Sequence, residues 1–184
     1  MSFQKILLKD VNFLLSQYGF SVGEWNQIQA DRELSDSLSY YVSNGLIDIN
    51  QLSLKLAGLL GLFEGDSFLQ INNSSSFNEF ESFLLKSALQ DFQCQPNVDS
   101  SWFLKLEDSN QESLFQIAFI CKILIEGSQH GHLLRLTEKG YVLISIEDGV
   151  ISIWTNLIEL SKLKNEFESS DETYNLLQWQ YETD

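Results

Sequence analysis

Apolar residues recur every three or four positions through the first part of the chain, which is the spacing of amphipathic helices. Helices are predicted over 3–18, 32–44 and 51–63. Glycines follow the first two segments and favour a helix end there, and Asp48 or Asn50 can cap the third. Residues 1–71 are therefore expected to form a helical N-terminal region.

A short polar run at 72–76, Asn-Asn-Ser-Ser-Ser, has the composition of a connection and predicts a domain boundary. Ser76 and Glu79 then have the spacing of a capping box, in which each side chain accepts a hydrogen bond from the other residue's backbone amide. The helix that they open is predicted to extend to about residue 92. Its broad apolar face consists of Phe77, Phe80, Phe83, Leu84, Leu85, Ala88 and Phe92.

The next segment contains one strand and one strongly apolar helix. Alternating apolar positions predict a short strand over 102–106. A second capping box, formed by Ser109 and Glu112, opens a helix over 111–126. Because apolar residues occupy most positions of this helix, it is expected to be buried nearly all round.

The clearest local signal lies between His132 and Thr155. Asp148-Gly149 suits a two-residue type I′ hairpin turn, because both central positions of that turn need positive φ. Closing the turn pairs Ile146 with Ile151, Ile144 with Ile153 and Leu143 with Trp154. A weaker turn at Lys139-Gly140 adds a strand over 133–137, which completes an antiparallel three-stranded meander.

Beyond the meander, Asn156 can cap a helix that extends to about residue 167, and a short acidic helix can form over 174–181. Residues 76–184 are therefore interpreted as an α+β domain that can pack with the helical region as one unit. The predicted fold class is α+β: N-terminal helices, followed by an antiparallel three-stranded meander that packs against helices.

Both faces of the predicted meander are apolar. Ile144, Ile146, Ile151 and Ile153 share one face, and Tyr141, Leu143, Trp154, Leu134 and Leu136 share the other. A sheet with one face in water should alternate with polar residues, so something is expected to cover the second face. Two covers are open: the N-terminal helices, or a partner chain or second copy that binds Tyr141, Leu143 and Trp154.

The charge narrows the class of partner. The chain has 26 Asp and Glu residues against 11 Lys and Arg residues, a formal net charge of -15. Such a surface repels phosphate backbones, so nucleic-acid binding is not expected. Acidic charge can serve solubility alone, or it can attract a basic partner protein.

The cysteine content and the apolar runs bear on the compartment. Cys94 and Cys121 form no paired motif, and Cys121 lies in an apolar run, where it is interpreted as a small buried hydrophobic residue. A disulfide framework is not expected, which favours a reducing compartment. Charged residues interrupt the apolar stretch at the N-terminus, and no apolar run approaches the ~20 residues that span a bilayer. The expected location is the cytoplasm, without membrane attachment.

No motif for catalysis or metal binding is found. Gly-rich phosphate loops and Gly-x-Ser-x-Gly elbows are absent from the sequence. His130 and His132 could project two imidazoles together, but two histidines without a selective third ligand are weak grounds for a metal site. Paired carboxylates such as those at 147–148 lie beside turns, where solvation is expected. The prediction is a non-enzymatic protein that needs no cofactor.

One family resemblance concerns residues 76–180. The apolar helix LFQIAFICKILIEG followed by GHLLRLTEKGYVLISI gives an order of elements that resembles type III secretion chaperones. These are small acidic dimers that hold the secretion segment of another protein in extended form. The resemblance implies a non-enzymatic protein-binding module, with a basic or extended partner and a possible homodimer. The alternative is an immunity protein that neutralises a basic toxin surface, a class that is also small, acidic and cytosolic.

Overall fold

The computed structural model describes residues 3–5, 8–22, 28–30, 37–41, 48–71, 79–88, 102–106, 111–127, 130–147, 149–168 and 177–179. Five helices lie within these ranges: α1 (Leu8–Ser16), α2 (Ile49–Gly61), α3 (Glu79–Ala88), α4 (Gln111–Glu126) and α5 (Leu160–Glu168). Ten strands accompany them: β1 (Phe3–Lys5), β2 (Phe20–Val22), β3 (Ile28–Ala30), β4 (Ser37–Tyr41), β5 (Asp66–Ile71), β6 (Trp102–Leu106), β7 (Gly131–Leu136), β8 (Tyr141–Glu147), β9 (Val150–Thr155) and β10 (Leu177–Trp179). The fold class is α+β, as predicted.

Eight of these strands form one sheet in the order β1-β6-β5-β7-β8-β9-β4-β10. Every pairing between described strands is antiparallel. The sheet combines strands from both predicted regions, since β5 lies between β6 and β7 and β4 extends the meander beyond β9. The predicted boundary at 72–76 lies outside the described residues, and the two regions share this sheet.

The predicted meander is confirmed as β7, β8 and β9. Its hairpin pairs Ile146 with Ile151, Ile144 with Ile153 and Leu143 with Trp154, which is the predicted register. Gly149 has a φ of 77°, the left-handed conformation that the type I′ turn requires. Asp148 lies outside the described residues. The β7–β8 turn also forms, closed by the bond from the Thr137 amide to the Gly140 carbonyl at 2.8 Å.

The isoleucine face of the meander packs against a layer of helices. The four isoleucines are at most 1% exposed and join the larger apolar cluster of the protein. α2 and α4 contribute most of its helical residues, and α5 adds Leu163 and Phe167. Asp48 caps α2 as predicted, since its side chain accepts hydrogen bonds from the amides of Asn50 and Gln51. No helix among the described residues is long and apolar enough to cross a bilayer.

The opposite face of the sheet is covered by a smaller N-terminal layer. α1 and the β2–β3 hairpin form it, and they supply Leu15, Phe20 and Ile28 to the second apolar cluster. The other members are Phe68, Leu134, Leu136, Tyr141 and Leu143. The N-terminal part of the chain therefore covers the second face of the meander, but with one helix and a hairpin instead of helices alone.

The prediction of a helical region over 1–71 is wrong, because five described strands, β1 to β5, lie there together with α1 and α2. The segment 3–18 begins with β1 at Phe3–Lys5, and its helix starts only at Leu8. The segment 32–44 contains strand β4, which pairs with β9 over five residues. Strand pairing overrides local helical spacing here: the edge strand β9 presents a row of backbone donors and acceptors, and β4 pairs with them.

Two predictions for the C-terminal part are also wrong. Asn156 does not cap a helix: its Oδ1 accepts a hydrogen bond from the Tyr141 amide at 2.9 Å, and α5 begins four residues later. The segment 174–181 contains strand β10, which pairs with β4, instead of a helix. The predicted helix over 111–126 matches α4, and the helix predicted from Ser76 is described from Glu79.

Candidate functional site

Tyr141 and Leu143, two of the predicted partner-binding residues, lie in the interior. Their side chains are 4% and 1% exposed. The Tyr141 ring makes edge-to-face contacts with Phe20 at 4.6 Å and with Tyr18 at 6.4 Å between ring centroids. Burial raises the pKa of the Tyr141 phenol. A partner cannot reach these two side chains while α1 and the β2–β3 hairpin remain in place.

Trp154, the third predicted residue, lies at the margin of the same cluster. It is partly buried and packs against this cluster. The structure therefore places the three residues on one face, as the register predicts, but it leaves only Trp154 partly accessible.

A polar group of residues occupies the other end of this sheet face. His132 is 2% exposed, and its Nδ1 contacts Gln70 Oε1 across the β5–β7 pair. Its Nε2 lies 3.0 Å from Glu147 Oε1. His130 is less buried and does not join His132 in a metal site: within the described ranges, no cluster of three histidine, cysteine or acidic side chains could hold a metal ion.

This arrangement leaves His132 without a free ring nitrogen. Ser145 on β8 is the register partner of His132. The Ser145 hydroxyl donates a hydrogen bond to the Glu147 carboxylate. A serine nucleophile needs an imidazole nitrogen to take its proton, and both nitrogens of His132 already contact oxygen atoms. The hydrogen bond from His132 is the largest influence on Glu147 and lowers the pKa of that carboxyl. The geometry is that of a structural contact between His132 and Glu147.

Glu147 should therefore make the free energy of unfolding depend on pH in the acidic range. Because its pKa is lower in the folded chain than its ordinary value of 4.5, the contribution is complete above that value and is lost as pH falls through the folded pKa. Since the side chain is 40% exposed, we expect a contribution of no more than about 1 kcal/mol. Urea unfolding measured between acidic and neutral pH should show this loss in the wild type, and Glu147→Gln should remove it. Glu159→Gln, at an exposed ion pair, is the matched control.

Four exposed phenylalanine residues lie on α3 and α4. Phe80 and Phe83 on α3 are 67% and 64% exposed, and Phe115 and Phe119 on α4 are 67% and 37% exposed. The two helices contact each other. We call these four side chains the phenylalanine surface. Phenylalanine is usually buried in proteins, so these four exposed rings on adjacent helices are the candidate interaction surface.

The phenylalanine surface corrects the prediction that α4 is buried nearly all round. Its inward side, which includes Ile117, Ile120 and Leu124, lies in the larger cluster, and Phe115 and Phe119 lie on the outward side. Cys121 is buried as predicted, and burial raises the pKa of its thiol to about 12, so it stays protonated and unreactive. α4 is therefore buried on one side and exposed on the other, and its exposed side carries Phe115 and Phe119.

A cleft of about 890 Å³ opens at the end of the sheet where β5 begins and β7 ends. The end of α1, the α2–β5 loop and the β7–β8 turn form its walls. Beneath the loop, Arg135 is 1% exposed. Its Nε donates to the Leu60 carbonyl at 3.1 Å, and its Nη1 donates to the Gly65 carbonyl at 2.6 Å.

The sequence predicts part of the phenylalanine surface but not the cleft. The apolar pattern identifies the phenylalanine face of α3, but the pattern alone cannot show that this face stays uncovered. The cleft has no sequence signal, because its lining comes from four segments that are far apart in the chain. Comparison with known protein families, with curated proteins and with solved structures finds no match to this chain.

Proposed function

We propose that this protein acts by binding another protein through the phenylalanine surface and catalyses no reaction. The observation that carries the proposal is the exposure of the four rings on α3 and α4, three of which are more than 60% exposed. Aromatic side chains contribute most of the binding energy at many interfaces, because they bury a large area at a small entropic cost. A partner with apolar residues would bury this surface.

The charge of the chain selects among such partners. With a net charge of -15, the protein attracts a basic partner and disfavours an acidic one at long range. A second copy carries the same charge, so charge disfavours self-association. We therefore propose a partner segment that is basic and apolar, which can be an extended secretion segment if the protein is a chaperone of the type III secretion class. The proposed location is the cytoplasm.

The alternative function is neutralisation of a toxin, which the acidic charge also supports. An immunity protein would use the same acidic surface against the basic face of one folded toxin. The two functions differ in the state of the partner. A chaperone holds an unfolded segment and is often a dimer, whereas an immunity protein binds a folded partner in a 1:1 complex.

The test begins with identification of the partner by cross-linking in the native host, followed by titration calorimetry with that purified partner. Phe83→Ser and Phe115→Ser should each weaken binding by about tenfold or more. Phe13→Ser is the matched control, because Phe13 is 68% exposed but lies on α1, on the other face of the sheet. Since all three rings are exposed, thermal unfolding should change little in each variant.

Unchanged affinity in both Phe83→Ser and Phe115→Ser would refute this surface as the binding site. Turnover of a small substrate that is lost on changing His130 or His132 would refute the non-enzymatic proposal altogether. Capture of an unfolded basic segment favours the chaperone function, and a 1:1 complex with a folded toxin favours the immunity function.

A further inference from the structure

The cleft at the end of the sheet has the volume of a small-molecule site. Its volume of about 890 Å³ falls in the range of about 300–1,000 Å³ that is usual for small-molecule sites. Its lining combines apolar and polar side chains. The apolar part is formed by Leu14, Leu62, Phe63, Phe68, Leu136 and Leu157.

The polar part of the lining favours a cation. Glu64, Asp66 and Glu138 line the cleft, against the single base Lys139. Arg135 lies in the electrostatic field of Asp66, but its Nε and Nη1 already donate to backbone carbonyls. Together with the buried Arg135, this end of the sheet has three carboxylates and two basic groups, so its net charge is negative. Aromatic rings in the lining also attract cations through their faces.

The walls of the cleft are fixed by contacts within the protein. Arg135 holds the α2–β5 loop through the Gly65 carbonyl, and Gly65 lies so close to Leu136 that a Cβ atom there would be 2.0 Å from the Leu136 carbonyl oxygen. On the opposite side, the Tyr18 hydroxyl donates to the Thr137 carbonyl at 2.8 Å and ties α1 to the β7–β8 turn. A site whose walls are fixed beforehand loses less entropy when a ligand binds.

From these observations, we propose that the cleft binds an alkylammonium group, in which an apolar stem carries a primary amine. The stem lies along the apolar lining, as the stems of lysine side chains do on protein surfaces, and the amine meets the carboxylates. A lysine side chain of a polypeptide and a free aliphatic amine share this chemistry. The proposal is independent of the phenylalanine surface, which lies on the helices of the other sheet face.

The first experiment titrates the ¹⁵N-labelled protein with hexylammonium, hexanol and hexanoate, which share one stem and differ in charge. Hexylammonium should shift the amides of Gly65, Thr137 and Glu138, and hexanoate should bind at least about tenfold more weakly. Equal binding of hexanoate, or shifts that map away from the cleft, would overturn the proposal.

Two double variants then separate binding in the cleft from a general attraction of cations to the acidic protein. Glu64→Gln/Glu138→Gln should weaken hexylammonium binding by about fivefold, because it removes two carboxylates from the lining. Glu79→Gln/Glu126→Gln changes the net charge equally, at exposed positions on α3 and α4, and should leave the affinity unchanged. Equal losses in both double variants would show only a response to net charge and would contradict the site.

A second arm distinguishes the two sources of the amine. The blocked peptide Ala-Ala-Lys-Ala-Ala and its norleucine analogue are titrated in the same way. Tighter binding of the lysine peptide than of hexylammonium assigns the cleft to a polypeptide, and the reverse order assigns it to a free amine. If neither amine shifts the cleft amides, the proposal fails. Phe83→Ser should bind hexylammonium as the wild type does, so failure here is separate from failure of the proposed function.

Discussion

Replacing Arg135 with alanine should lower the free energy of unfolding by about 3–5 kcal/mol. The guanidinium is almost fully buried and donates a hydrogen bond to a carbonyl at the end of α2. The last carbonyls of a helix lack hydrogen-bond partners within the helix. The amide of Leu62 bonds to the carbonyls of Gly58 and Leu59, and Arg135 donates to the next carbonyl, Leu60. Its loss would leave a cavity together with unpaired carbonyl groups.

Two further variants separate these contributions, measured by urea unfolding at neutral pH. Arg135→Met fills much of the space but leaves both carbonyls without a donor, so we expect a loss of about 1–3 kcal/mol. Arg135→Lys keeps the charge, but one ammonium group cannot donate to both carbonyls as the planar guanidinium does. Because the lysine stem fills part of the space, the loss of unfolding free energy in Arg135→Lys should be smaller than in Arg135→Ala. A loss under about 1 kcal/mol in Arg135→Ala would show that the α2–β5 loop does not depend on this side chain.

The features that the sequence predicts well are those fixed by neighbouring residues. The turn at Asp148-Gly149 sets the register of β8 and β9, because a two-residue turn allows one pairing of the flanking strands. Helix α2 follows from its cap at Asp48 and its apolar spacing, and α4 follows from the apolar run that Gly127 ends. Each of these signals lies within about a dozen residues of the chain.

The features that the sequence does not predict depend on distant segments. Strand β4 has only five residues, and its partners are β9, more than 100 residues later, and β10 beyond it. Nothing in the local pattern of 32–44 distinguishes such a strand from a short helix. For the same reason the sequence identifies Tyr141, Leu143 and Trp154 as one face but leaves its cover open. The exposure of Phe80 and Phe115 likewise depends on which helix faces the rest of the fold covers.

The packing on the two faces of the sheet explains why the phenylalanine surface lies on the helical side. The helices α2 and α4 pack on the isoleucine face, and α4 then carries apolar side chains on its outward side as well. On the other face, α1 and the β2–β3 hairpin cover the apolar end of the sheet. The exposed rings of the helical layer therefore lie on its outer side, whereas Tyr141 and Leu143 on the meander face are covered.

Replacing Leu143 with alanine should test this cover and should lower the free energy of unfolding by about 2–5 kcal/mol. Leu143 is 1% exposed, in the middle strand of the meander, and packs in one cluster with Leu15, Phe20 and Ile28. The cost combines the lost burial of the side chain with the cavity that remains. Leu143→Met, which nearly conserves the volume, should cost less than about 1.5 kcal/mol.

Trp154→Ala should destabilise the protein less than the loss of a fully buried tryptophan, which costs about 3–5 kcal/mol, because Trp154 is only partly buried. Both variants should bind the protein partner with wild-type affinity under conditions where they are folded, since the proposed binding surface lies on α3 and α4. Calorimetry on the folded variants, together with thermal unfolding of each, measures the binding affinity and the stability separately.

If Leu143→Ala kept the wild-type thermal midpoint but bound the partner more than tenfold more weakly, α1 and the β2–β3 hairpin would have to move aside on binding. The meander face, instead of the phenylalanine surface, would then be the interface.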